Sequence, residues 1–272
     1  MRQKEDRRPN QYITMAVLLA AWVLAASCAG TKVTTPMPVE NKFRLALELF
    51  EKRKYESAQR MFESVIFDNP GSVVADSAQF LVGACYFNLH EYELAAGEFQ
   101  RFYQQYPTSP LVDDAELMRA RCYLKGAPGN VGLDQNYTQN CVVTLQTFKD
   151  DHPTSDLLPA ADSLLAVCWA RLSKKDFDTG KLYQRLKLHR AAGIYYQLVL
   201  DRFPESPLVP EAIYRMGETF RGMGINDTAI VWYEKLVYLY PDDPTTTKAR
   251  KRIAKLQPLL PEASADSPGD TL

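Results

Sequence analysis

Histidine is scarce: the 272 residues hold three, His90, His152 and His189. His90 falls in a turn between two helical patterns, His152 precedes a helix-stopping proline and His189 opens a helical pattern, so none is offered as an acid or base. Asp150, Asp151, His152 and Ser155 are triad residue types, but close neighbours in sequence seldom give triad geometry. Gly-x-Ser-x-Gly, a phosphate-cradling glycine loop and His-Glu-x-x-His are all missing. So is Cys-x-x-Cys, which removes the usual zinc spacing. No cofactor or metal site is expected, and the chain does not read as an enzyme; a catalytic site hidden in a repeat array is the weakest of its rival readings. A net charge of −1 supplies no basic face to neutralise phosphates, which argues against nucleic acid as a partner. A spanning helix is lacking too, because the apolar run from Met15 to Ala26 falls short of roughly 20 residues.

What that run does fit is a targeting segment. Arg2, Lys4, Arg7 and Arg8 give a positive start, the apolar run follows, and Ala25, Ala26 and Ser27 are small residues before Cys28. The segment resembles a bacterial lipoprotein signal peptide (1–27), with Leu24-Ala25-Ala26-Ser27-Cys28 similar to the lipobox although leucine stands one place further from the cysteine than usual. That resemblance implies lipidation at Cys28, an anchor of three acyl chains each adding about 0.8 kcal/mol per buried methylene. It also implies sorting to the outer membrane, since neutral Ala29 follows the cysteine. Residues 28–40 are small, polar and aperiodic, as a flexible tether would be.

The body is ordered by prolines. Twelve residues before Pro70, Pro107, Pro153, Pro204 and Pro241 stand Ala58, Ala95, Cys141, Ala192 and Ala229. Eight before stand Phe62, Phe99, Leu145, Tyr196 and Tyr233, and five before stand Val65, Phe102, Phe148, Val199 and Leu236. Positions i, i+4 and i+7 make one buried face of a helix. Eight residues after each proline comes an alanine: Ala78, Ala115, Ala161, Ala212 and Ala249. Ser72, Ser109, Ser155 and Ser206, two after theirs, are candidate caps for the helices that follow. Within Val73 to Pro107, Gly83 and Ala95 can face each other where two helices cross, with Tyr86, Phe99 and Phe102 filling the space around them.

These columns resemble the tetratricopeptide repeat, in which paired helices bury their apolar faces only by stacking into an array. The expected fold is therefore all-α, a tetratricopeptide-repeat superhelix of about five helical hairpins plus a C-terminal capping helix, whose concave surface would carry the function. Proline-to-proline spacings of 37, 46, 51 and 37 mark insertions in the third and fourth units. In the third, Gly126 to Gly132 is rich in turn formers and reads as a longer loop. In the fourth, Leu157 to about Gln184 has no breaker except Gly180 and reads as one long helix. The expected division is 41–155 for repeats one to three, 156–256 for repeats four and five with the capping helix, and a disordered tail over 257–272. Lys248, Arg250, Lys251, Arg252 and Lys255 give the capping helix a basic face.

Cys85, Cys122 and Cys168 each lie fifteen residues after a proline, so they occupy equivalent places in successive repeats, beyond the roughly 7 Å that bridging allows. With Cys141 they read as buried stand-ins for alanine, leaving Cys122 with Cys141 as the pair to examine. Most aromatic residues fall in the core columns. Tyr103, Tyr123, Tyr183 and Tyr195 lie off them and are candidates to line a groove for an extended peptide.

Three stretches narrow the reading. Asp134-Gln135 opens a helix ending in Phe148 and Pro153-Thr154-Ser155; Arg171-Leu172-Ser173-Lys174-Lys175 leads to Phe177; and Leu182-Tyr183-x-Arg185 leads to Ala191-Ala192, Tyr195-Tyr196 and Phe203-Pro204-x-Ser206. Together they resemble the BamD family, outer-membrane lipoproteins of the β-barrel assembly machinery. The resemblance implies a scaffold at the periplasmic face. Its C-terminal repeats would hold a BamA-like barrel protein near Tyr183, Arg185 and Tyr195. Its N-terminal repeats, with Tyr103 and Tyr123, would offer a groove to unfolded outer-membrane proteins. Other lipoproteins of the same machinery are implied as further partners. The rival of another class is an envelope tetratricopeptide scaffold serving Tol and peptidoglycan coordination or pilus assembly.

Overall fold

The computed structural model describes residues 37–259; the signal segment, Cys28 with most of the tether, and the tail after residue 259 lie outside the described residues. Eleven α-helices follow one another without a strand among the described residues: α1 (Val39–Glu51), α2 (Tyr55–Asp68), α3 (Ala75–Asn88), α4 (Tyr92–Gln105), α5 (Val112–Gly126), α6 (Asn136–Asp151), α7 (Leu158–Arg185), α8 (His189–Arg202), α9 (Val209–Gly222), α10 (Asn226–Leu239) and α11 (Pro244–Leu256), closed by a 3₁₀ turn, Gln257–Leu259. They form five hairpins and a capping helix, the tetratricopeptide architecture. Val39 and Glu40, read from sequence as the end of the tether, are the first residues of α1, and the first three residues of the expected tail form the closing turn. No described helix is long and apolar enough to cross a membrane.

Each hairpin ends the same way. The residue before each proline, Asn69, Tyr106, His152, Phe203 or Tyr240, leaves the helical region with φ between −124° and −146° and ψ between 53° and 67°, because the proline ring disfavours the α conformation in its predecessor. The next helix then starts through a turn whose amide at Ser72, Ser109, Ser155, Ser206 or Asp243 donates back to that residue's carbonyl. The serines do not cap the helices as expected. Ser109, Ser155 and Ser206 accept through Oγ from the amides of Leu111, Leu157 and Leu208, two residues on and still in the turn. The Ser72 hydroxyl is buried without a partner. Among the described N-caps Asp243 alone is a side-chain cap, accepting from the Thr245 amide at 2.8 Å, and α11 starts beside it.

The columns are the core. All five residues twelve before the prolines, and all five alanines eight after them, have no exposed surface; the large side chains at eight and five before are at most 1% exposed. Gly83 faces the ring of Phe99 rather than Ala95: a Cβ there would lie 2.9 Å from that ring. Gly180 and Gly217 stand in the same relation to Tyr196 and Tyr233, at 2.7 and 2.4 Å. Repeat three solves the same crossing with Ala120 and Leu145, both in one buried cluster. The tyrosine hydroxyls still reach water-side partners, Tyr196 donating to Gln184 at 2.9 Å and Tyr233 to Glu218 at 2.7 Å.

At 28 residues, α7 is twice the usual length here. Its first half completes the core of repeat three through Ala161, Leu165 and Cys168. Its second half opens the core of repeats four and five through Phe177. The cysteine geometry differs from expectation. Cys141 on α6 meets Cys168 on α7, sulfur to sulfur at 3.2 Å, and it is this pair rather than Cys122 with Cys141 that comes together. The residues twelve before and fifteen after one proline lie on facing helices.

Candidate functional site

Arg171 explains how the stretches singled out in the sequence relate. Its Nε donates to Gln135 Oε1 at 3.1 Å, and the same oxygen accepts from Thr138 at 2.8 Å. The Arg171 guanidinium also donates to the Pro128 carbonyl. Lys175 donates to the Leu133 carbonyl at 3.3 Å. Four residues apart on α7, these two cations fix the long loop between α5 and α6. Gln135 is 1% exposed, so its amide is a buried peg, and it donates back to the Asn130 carbonyl at 3.3 Å. Ser173 and Ser206 share a hydrogen bond of 2.9 Å, and Phe177 packs on Tyr196 with centroids 5.7 Å apart. Gln135, Arg171, Ser173 and Phe177 are thus framework around α7.

His152 is also framework. Its Nδ1 lies 2.9 Å from Asp113 and its Nε2 2.8 Å from Glu116, whose side chain is 2% exposed and has Arg119 as a second partner. Asp150, Asp151 and Ser155 take no part in that contact. Burial pushes the Glu116 carboxyl above the usual range although His152 and Arg119 oppose it.

Tyr183, Arg185 and Tyr195 come together at the hairpin of α7 and α8. Tyr183 and Tyr195, on either side of it, are half-buried and stack with centroids 5.3 Å apart and planes 17° apart. Arg185, the last residue of α7, is exposed and forms no hydrogen bond or ion pair among the described residues. Leu182, Leu186, Leu188 and Ile194 on the same two helices and their turn are 46% to 62% exposed. Beside the hairpin opens a cleft of about 740 Å³ between α7 and α9, lined by Lys181, Arg185, Arg215 and Arg221 with Asp178 and Glu218. Glu218 is spoken for: Arg221 at 2.7 Å, Arg252 at 2.8 Å and the Tyr233 hydroxyl surround it. Burial pushes its carboxyl up, but the bonds from Arg221 and Tyr233 and the charges of Arg221 and Arg252 outweigh this and hold it below the usual range. Arg252, read from sequence as part of the basic face of the capping helix, is thereby turned toward α9. His189 Nδ1 and Arg221 Nε are buried without a partner. Among the cations of the cleft Lys181, Arg215 and Arg221 pair with Asp178, Glu211 and Glu218, and aromatic rings and arginine are the side chains enriched where protein surfaces meet.

Tyr103 and Tyr123 are half-buried and lean on the same core, that of α4 and α5. Tyr123 also faces Tyr137 at 6.3 Å, and Tyr137 donates to Glu93 at 3.1 Å. Tyr137, placed by the long loop, is a neighbour that the columns did not single out.

The family model named YfiO and described as outer membrane lipoprotein matches residues 36–231. The outer membrane protein assembly factor BamD of Rickettsia prowazekii is 23% identical over 250 residues, covering 89% of this chain and 97% of that protein. Among solved structures, a TPR repeats protein of Bacteroides fragilis is 14% identical, with 84% of this chain and all of that one covered at a TM-score of 0.44. The type IV pilus biogenesis factor PilW is 13% identical, with 79% and all covered at 0.37.

Proposed function

The chain belongs to the YfiO family of outer membrane lipoproteins, and on that premise we propose that it acts without catalysis, as a scaffold for inserting β-barrel proteins into the outer membrane. Lipid at Cys28 holds it at the periplasmic face. Repeats four and five grip a BamA-like barrel protein through Tyr183, Arg185 and Tyr195, and repeats one to three, with Tyr103 and Tyr123, receive unfolded barrel substrates. The chain is divided near residue 155 between these two tasks. The observation that carries the reading is the α7–α8 hairpin, which bears a ring stack, an exposed Arg185 and four exposed aliphatic side chains. A preformed surface of this sort contributes affinity by avoiding the cost of ordering.

The test is affinity purification of the tagged, lipidated protein from detergent-solubilised envelopes, with mass spectrometry of what co-purifies. A BamA-type barrel protein in near-equal amount is the expected result, and Arg185→Glu should reduce it at least tenfold while circular dichroism stays that of the wild type. Recovery of Tol or peptidoglycan-linked proteins in its place would overturn the reading.

A further inference from the structure

The repeat register contains a control for one local feature. The residue twelve before each proline is matched in register with the residue fifteen after it, across the junction between successive repeats, and four of the five pairs share a buried cluster. The pairs are Ala58 with Cys85, Ala95 with Cys122, Cys141 with Cys168, Ala192 with Thr219, and Ala229 with Leu256. Four junctions set an alanine against a larger residue. Only at Pro153 are both members cysteine, and there the sulfurs lie 3.2 Å apart with neither residue exposed.

We propose that Cys141 and Cys168 are joined by a disulfide in the mature protein, cross-linking α6 to the first half of α7. The bond requires the sulfurs to close from 3.2 Å to about 2.05 Å. The inference rests on the reading that the folded body lies in the oxidising envelope, where such bonds persist. The oxidant is a disulfide-carrying thiol oxidase of that compartment. The thiolate of one cysteine attacks one sulfur of the donor disulfide, forming a mixed disulfide and expelling one donor thiolate. The thiolate of the other then attacks the sulfur of the first cysteine and expels the second. The pair loses two electrons and two protons, and the donor gains them as two thiols. Since both sulfurs are covered once α6 and α7 pack, the reaction precedes their docking. Cys85 and Cys122 face alanines, and burial pushes both thiols up to about 12, so they stay reduced.

The experiment uses the full lipidated protein. Cells are acid-quenched, free thiols are alkylated under denaturing conditions, and the peptides are read by mass spectrometry. Alkylation at Cys85 and Cys122 only, with a Cys141–Cys168 linked peptide that reductant separates, is the expected result. Reductant should lower the melting temperature by roughly 5–10 °C. Cys141→Ala, which restores the residue of the other four junctions, should melt with the reduced protein and ignore reductant. Alkylation of Cys141 and Cys168 in envelope material sinks the proposal. Refolding the reduced protein with oxidised glutathione then locates the fault: a link formed only in vitro indicts the compartment, and a link formed in neither setting indicts the geometry. The readout is sulfur chemistry alone, so it can fail while the barrel-protein partner still co-purifies, and the reverse.

Discussion

Arg53, His90, Lys187 and Gly224 occupy one structural position, seventeen residues before their prolines, and all have φ between 57° and 77°. Only one of the four is glycine, although the left-handed region costs an ordinary residue roughly 1–2 kcal/mol. Arg53 is exposed and makes no side-chain contact of note, so Arg53→Gly should raise stability by about 0.5–1 kcal/mol after the extra freedom of glycine in the unfolded chain is subtracted; urea unfolding would check it. Gly217→Ala should do the reverse, since the new Cβ would sit 2.4 Å from the Tyr233 ring and overpacking of this kind costs about 1–3 kcal/mol. His152→Ala should cost about 2–4 kcal/mol, because it leaves the buried Glu116 carboxylate with Arg119 alone. Much at this scale could be read in the sequence, because buried residues recur at fixed distances from a proline. What could not be read is which columns touch. Cys141 and Cys168 are 27 residues apart across one proline, and treating fifteen-after cysteines only as members of successive repeats hides the contact that each makes with the column before it. Serine two after proline likewise looked like a cap because its residue type is right, whereas its Oγ meets an amide in the turn before the helix begins.

Among elements, α7 is where the sequence was most and least informative. Its length follows from the absence of a breaker between Leu157 and Gln184, and the helix found is Leu158–Arg185. Its division of labour was not legible, since the buried positions Ala161, Leu165, Cys168 and Leu172 give way one residue later to Ser173, Phe177 and Gly180, a change of face that shows only once the buried residues are known. Lys174→Pro would remove a backbone bond where the two cores meet, at a cost of about 3 kcal/mol or more. The expected outcome is two melting transitions by calorimetry where the wild type shows one. A second element-level effect concerns α9, α10 and α11, which meet at Glu218. Its carboxyl is held below the ordinary value of 4.5, so the unfolded state binds protons more readily. The stabilisation is therefore complete above about pH 5 and is lost as pH falls through the folded-state value. Glu116, raised by burial, has the opposite sign and gains stability as pH falls. Glu218→Gln should lower the melting temperature near pH 7 and flatten its fall on the acid side, and thermal melts between pH 3 and 7 would show both.

For the whole molecule, stability in a stacked array is a sum over neighbours. The core shared by α7 to α11 contains 14 buried hydrophobic residues, against seven for that of α1 to α3. Hydrogen exchange should accordingly be slowest in α8 to α10 and fastest in α1 and α2, measured amide by amide or by peptide mass. The surface around Tyr183, Arg185 and Tyr195 would then be a rigid one. Periodicity identified the buried residues of that region, but it has no term for an exposed arginine or a ring stack across a hairpin, and those needed the fold. The spacing of the prolines nonetheless records a mechanical decision. The third interval is 51 residues where the outer ones are 37. Fourteen added residues at 3.6 per turn come within about 40° of four revolutions, and advance the chain by about 21 Å. The extension is a spacer that changes distance while nearly conserving bearing, so Phe177 and Gly180 meet α8 at almost the bearing that a repeat of ordinary length would give them. Nine added residues would have turned the last two repeats half-way round, and the hairpin that carries Arg185 would look in another direction.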